Sequence, residues 1–135
     1  MGGKTDRLHG APVPVRGRVV RVVPADFTYR GSYMTGKPVH AGWAAVLDAD
    51  GVQVVLRERK VMPFDAEELL VLGIEPARCR IIVTKAAIAW RAAYGGLATA
   101  VIEVDTPGAC APNLTSLVYR RVRRPVDPLD RDVSW

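Results

Sequence analysis

Lys85 stands where a β-branched run, Ile81 to Val83, gives way to a helical pattern, and that position makes it the first candidate for chemistry. Helix N-termini carry partial positive charge and unpaired N–H groups, so a lysine there is unfavourable by about a few tenths of a kcal/mol. In open α/β sheets the end of a strand that leads into a helix is also where ligands bind. A lysine beside free N–H groups suits a carboxylate or a phosphate. The competing role is a surface lysine whose stem lies along a sheet edge. A second group, Lys4, Thr5, Asp6 and His9, stands between Gly2-Gly3 and Gly10. Such a density of reactive side chains is typical of a site loop, and the same composition also suits an unstructured chain start. No strand precedes Gly2-Gly3-Lys4-Thr5, so it is not a phosphate-cradling P-loop. The segment reads as though cut from a longer polypeptide.

Other chemistries find less support. His9, His40, Cys79 and Cys110 stand about thirty or more residues apart, which matches no zinc-site spacing. No metal ligand is therefore expected in this chain, and no catalytic residue is assigned. The net charge of +5 is densest at Arg120-Arg121-Val122-Arg123-Arg124. No helix-turn-helix, RNP-like aromatic pattern or GXXG loop accompanies it, so a basic tail that clamps acidic groups of its own protein is expected rather than nucleic-acid binding. No apolar run approaches the roughly 20 residues that span a bilayer, and no signal peptide is visible. A cytoplasmic protein that does not enter a membrane is expected, with both cysteines as free thiols.

The elements that must position these residues follow from the pattern. Val13 to Val23 alternates apolar and basic residues, as a strand with one basic face does. Phe27 to Arg30 can form a return strand before the turn-rich loop 31–38. Gly42 to Leu47 and Val52 to Arg57 read as two strands, and the Asp50-Gly51 step between them signals a hairpin. Asp65 caps a helix over Ala66 to Leu72, with Glu67 and Glu68 in its first turn and Gly73 as its stop. Ile81 to Val83, a helix over Lys85 to Tyr94 stopped by Gly95-Gly96, and Val101 to Val104 then read as a β-α-β unit. After Pro107-Gly108 the prolines at 112, 125 and 128 confine an irregular basic tail to the surface. One α+β domain over residues 1–135 is expected, β-rich in its first half. Trp43 and Trp90 are expected in its core.

Several of these stretches resemble a known family. They are Gly2-Gly3-Lys4-Thr5-Asp6 with His9-Gly10, Met34-Thr35-Gly36, Val61-Met62-Pro63-Phe64-Asp65 and Gly73-Ile74-Glu75-Pro76. Lys85-Ala86-Ala87, Arg91-Ala92-Ala93-Tyr94, Glu103-Val104-Asp105-Thr106-Pro107-Gly108 and Tyr119-Arg120-Arg121 with Arg124-Pro125 continue the series. In this order they resemble the C-terminal domain of the microcystinase C family, the MlrC-like proteins or M81 metallopeptidases. The resemblance implies a larger hydrolase whose N-terminal domain carries zinc and cleaves peptide bonds, with no cofactor in this part. The family's Lys-Ser-x-x-His-Phe-Arg is replaced here by Lys85-Ala86-Ala87-Ile88-Ala89-Trp90-Arg91, with alanine at the serine and histidine positions.

Two functions are open at this point. The first is a substrate-shaping domain, with Lys4, Asp6, His9, Lys85, Arg91 and Tyr94 against a peptide-like substrate and an N-terminal metallopeptidase domain in cis or in trans. Lys85 and Arg91 would hold a carboxylate. Six residues apart, they turn about 600° around a helix, so both can line one pocket only if Lys85 precedes the helix. The second is a non-catalytic interaction or homo-oligomerisation module with Trp43, Trp90, Tyr119 and Trp135 as anchors.

Overall fold

Asp50 and Gly51 take positive φ values of 53° and 85° and close a two-residue turn between β4 (Trp43–Ala49) and β5 (Val52–Arg57). That is the primed turn whose twist matches antiparallel strands, and an Asp-Gly pair adopts it readily. The Gly51 N–H donates to Asp48 Oδ1 at 3.0 Å, which fixes the turn. In this computed structural model the described residues are 1–2, 10–106 and 113–130. They fall into two units, Met1 with Val13–Val101, and Gly2–Pro12 with Ile102–Trp135.

In the first unit β1 (Arg18–Pro24) pairs with β4, and the three-stranded antiparallel sheet has the order β1-β4-β5. The register shifts between Val19 and Arg21, so Val20 is an extra residue that bends the strand. Arg18 lies opposite Asp48, a cross-strand pair of opposite charge. The return strand is short: β2 (Phe27–Thr28) pairs with β3 (Pro38–Val39) and not with β1. The core is small, built on Ala25, Ala41, Ala44, Val46 and Leu72. Beside it Tyr29 packs on Phe27 and Phe64 with centroids 5.2 and 5.8 Å apart.

Helix α1 (Glu67–Leu70) ends as the sequence indicates. Gly73, at φ 70°, donates its N–H to the Leu70 carbonyl, and the Ile74 N–H donates to that of Leu69, closing a left-handed C-terminal turn. The chain is β-rich with few, short helices, and the β-α-β pattern takes a different local form. Helix α2 covers Trp90–Tyr94 alone, and neither 81–83 nor 101–104 is paired as a strand. Helix α2 starts with no side-chain cap, and so short a helix draws little stability from propensity alone. Among its described residues the second unit has one 3₁₀ turn, Leu114–Ser116, capped by Asn113 Oδ1 accepting from the Thr115 N–H at 3.1 Å. No helix among the described residues is long and apolar enough to cross a membrane.

Candidate functional site

Asp65 organises the approach to α1. One carboxylate oxygen, Oδ1, accepts from the Glu67 N–H at 3.0 Å, and the other accepts from the N–H groups of Arg30 and Gly31. A capping side chain thus also ties the 27–31 segment to the helix start. Burial works to raise its pKa, but the N–H groups of Gly31, Glu67, Arg30 and Ala66 outweigh this and hold the carboxyl below its ordinary value.

Behind Asp65 lies a group of titratable side chains that the composition does not announce. Tyr94 is 5% exposed and its hydroxyl donates to Glu68 Oε1 at 2.6 Å. Glu68 is itself buried, and its other carboxylate oxygen lies 3.7 Å from Arg57 Nη2. Arg57 Nη2 also donates to the Glu68 carbonyl, while Nη1 is buried with no hydrogen-bond partner among the described residues. Burial raises the Glu68 carboxyl, with Tyr94 and Arg57 pulling it partly back. Burial and the Glu68 carboxylate push the Tyr94 hydroxyl up, so it stays a donor throughout the working pH range. Burial lowers the Arg57 guanidinium, against the pull of Glu68. The sequence carries little signal for this node, since Glu68 in a first helical turn reads simply as an acidic residue that favours the dipole.

The six candidate residues separate into three situations. Lys4, Asp6 and His9 lie outside the described residues. Lys85 and Arg91 are exposed. Lys85 sits in an extended segment five residues before α2, so the condition that it precede the helix is met, although the anion-binding rationale from a helix start at Lys85 is not. The Arg91 guanidinium packs over the Trp90 ring, 4.6 Å from its centroid. Tyr94 faces inward, and its contact with Glu68 anchors α2 to α1. The helix that carries Arg91 is thereby held on the sheet.

Other expectations meet the structure in the same way. Trp43 is 58% exposed, so its place is the surface and not the core: its backbone N–H is held by Glu58 Oε2 at 3.0 Å while the ring faces solvent at the start of β4. In the basic tail Arg124 clamps Asp130 with two hydrogen bonds, one of 2.7 Å from Nε, and Asp130 also accepts from the Val126 N–H. Part of that charge is therefore spent inside the protein. Cys79 is a free thiol that donates to the Glu75 carbonyl at 3.5 Å, and Cys110 lies outside the described residues. His40 Nδ1 lies 3.1 Å from Asp26 Oδ2 in an exposed pair. A cavity of about 220 Å3 between β1 and the 72–74 turn contains none of the six candidates.

With this geometry in hand, the chain can be set beside known proteins. The pattern of the family described as MlrC C-terminus matches residues 1–121. Microcystinase C of Sphingomonas sp. is 24% identical over 130 residues, which are 96% of this chain and 24% of that protein. A solved structure from Mesorhizobium sp. BNC1, assigned as a metallopeptidase, superposes with a TM-score of 0.67 at 32% identity. It is covered over 87% of this chain and 23% of its own. The chain thus spans about a quarter of the length of the relatives it matches.

Proposed function

The chain belongs to the MlrC C-terminus family, and from that premise we propose that it is the substrate-shaping C-terminal domain of an MlrC-like zinc metallopeptidase. Peptide-bond cleavage is carried by another domain, in cis or in trans. The observation that carries the reading is the family match over residues 1–121. The quarter-length span against both relatives supports the division of labour.

In this reading Lys85 and Arg91 present cations to a carboxylate of a peptide-like substrate, and Lys4, Asp6 and His9 orient polar groups at the same site. Exposure of Lys85 supports it. Tyr94 acts from behind, through Glu68, by holding α2. The name of the Sphingomonas relative makes microcystin-type cyclic peptides the first substrates to try. The free thiol of Cys79 suits a cytoplasmic setting. The β-α-β form belongs to the assembled protein, in which 81–83 and 101–104 acquire strand partners.

Among the described residues no three His, Cys, Asp or Glu side chains gather around one point. Catalytic zinc takes three protein ligands and an open position. No step of the reading passes through a metal on these residues; the zinc belongs to the cleaving domain.

A second reading, an interaction or oligomerisation module without catalytic duty, is favoured by one observation, the exposed ring of Trp43. Zinc titration of the purified chain in the presence of microcystin-type peptides tests the division of labour. The expected result is no turnover and no stoichiometric zinc site; cleavage by the chain alone would overturn it. A stable homodimer that neither joins nor supports a cleaving domain would favour the module.

A further inference from the structure

The core-facing side of the β1-β4-β5 sheet runs on past Leu72, and there it opens into the cavity of about 220 Å3. In the register of β1 with β4, Arg18 lies opposite Asp48 and Arg21 opposite Val46, two positions apart on β4. Alternate residues of a strand share a face. Arg18 and Arg21 are therefore on one face although three positions separate them, and the extra residue Val20 is what allows it. That face is the buried one, which also carries Ala44 and Val46 of the core. Arg18 has a carboxylate residue across from it, whereas Arg21 has only Val46 and, beyond it, Val55. The Arg21 guanidinium lies over Gly73 instead, where a Cβ would stand 2.5 Å from Nη1. Arg21 and Gln53 both line the cavity, and among the described residues neither side chain has a hydrogen-bond or ion-pair partner.

We infer that this cavity is a binding site for a carboxylate carried on a short aliphatic stem. The planar fork of a guanidinium matches the two oxygens of a carboxylate, and the Gln53 amide adds a further donor. Val20, Val46, Leu72 and Ile74 complete the lining and give the stem an apolar wall. Arg21 is the one cation of the lining, which equals the single charge of a carboxylate and falls short of that of a phosphate group. The volume lies below the roughly 300–1,000 Å3 of clefts that hold drug-sized ligands, so one small group fills it. A free short-chain acid and the C-terminus of a peptide both carry this chemistry. None of the residues proposed to contact substrate lines the cavity, so the inference stands independently of the proposed function.

NMR titration of the 135-residue chain with isovalerate, isovaleramide and inorganic phosphate tests this. Isovalerate is expected to shift the methyl signals of Val20, Val46, Leu72 and Ile74 and the side-chain N–H signals of Arg21 and Gln53. A Kd of about 1–10 mM suits so small a ligand. The neutral isovaleramide should bind about tenfold more weakly, since it offers the guanidinium no charge. Arg21→Met keeps the stem and should weaken isovalerate about tenfold, while Arg21→Lys keeps the charge without the fork and should weaken it about threefold. Acetyl-Gly-Gly-Val separates the two sources. Binding about tenfold tighter than isovalerate, and lost on amidation of its C-terminus, would assign the site to a peptide terminus. Binding no tighter than isovalerate would assign it to a free acid, and either result sustains the carboxylate site. Isovaleramide binding as well as isovalerate would overturn the inference, as would tighter binding of phosphate or no shift at about 100 mM isovalerate. Shifts that both Arg21 variants leave unchanged would overturn it too. The comparison of acid with amide needs only the unmodified chain, so it decides even if Arg21→Met does not fold.

Discussion

The Tyr94 hydroxyl lies 2.6 Å from Glu68 Oε1, and this one contact joins the helix that carries Arg91 to the helix that follows Asp65. Both partners are buried, so the hydroxyl has no water to replace the carboxylate. Tyr94→Phe leaves a buried carboxylate oxygen without its donor. A loss of about 1–3 kcal/mol in urea denaturation is expected at pH 7.

The same contact gives a pH signature. Burial raises the Glu68 carboxyl above its reference value of 4.5. A group with a raised folded pKa contributes its stability fully below the unfolded value and loses it as pH rises through the folded value. Tyr94 opposes that rise, so Tyr94→Phe should cost more as pH climbs past 4.5 and least at pH 4. A cost that is flat across this interval would contradict the assignment of Glu68.

Asp65 should behave in the opposite sense. Its carboxyl is held below 3.8, so its contribution is present above 3.8 and disappears as pH falls through the lower folded value. Asp65→Ala removes an acceptor from the N–H groups of Arg30, Gly31 and Glu67, and about 3 kcal/mol is the expected cost at pH 6. Denaturation of the two proteins should converge toward pH 2. A gap that persists there would show that the loss is one of packing.

Gly51→Ala tests the hairpin that the sheet is built on. At φ 85° a side chain is strained, and about 1–2 kcal/mol is expected from thermal denaturation. No atom lies within 4 Å of the position a Cβ would take, so the effect is one of backbone conformation.

Lys85→Ala separates function from fold. Loss of an exposed side chain, in a segment without backbone partners among the described residues, should leave stability within about 0.5 kcal/mol. In a protein that cleaves peptides through this domain, the same change should raise KM about tenfold, the weight of one charge-assisted contact.

What could be read from the residues was local. Asp50-Gly51, Asp65 and Gly73 each specify a backbone conformation within a few positions, and the hairpin, the cap and the helix stop stand where the sequence puts them. The side chains of Ile81 to Val83, Lys85 to Tyr94 and Val101 to Val104 favour strand, helix and strand in turn. A strand needs a partner, however, and propensity cannot supply one. The outward Ile81 and Val83 are a strand's side chains, and among the described residues no sheet takes them up. Aromatic size suggests a core for Trp43, but the residue next to it in β4, Ala44, is on the buried face with Val46, so the pleat turns the Trp43 ring to solvent. The Arg57–Glu68–Tyr94 node was out of reach because it joins positions 57, 68 and 94 through tertiary folding.

The most direct test of the central claim is peptide hydrolysis by the Mesorhizobium protein with its matched region replaced by this chain. Cleavage at a rate within about tenfold of the unmodified protein, with KM raised by Lys85→Ala, is the predicted result. A folded, monomeric replacement that cleaves nothing, or one whose KM ignores Lys85, would contradict the account.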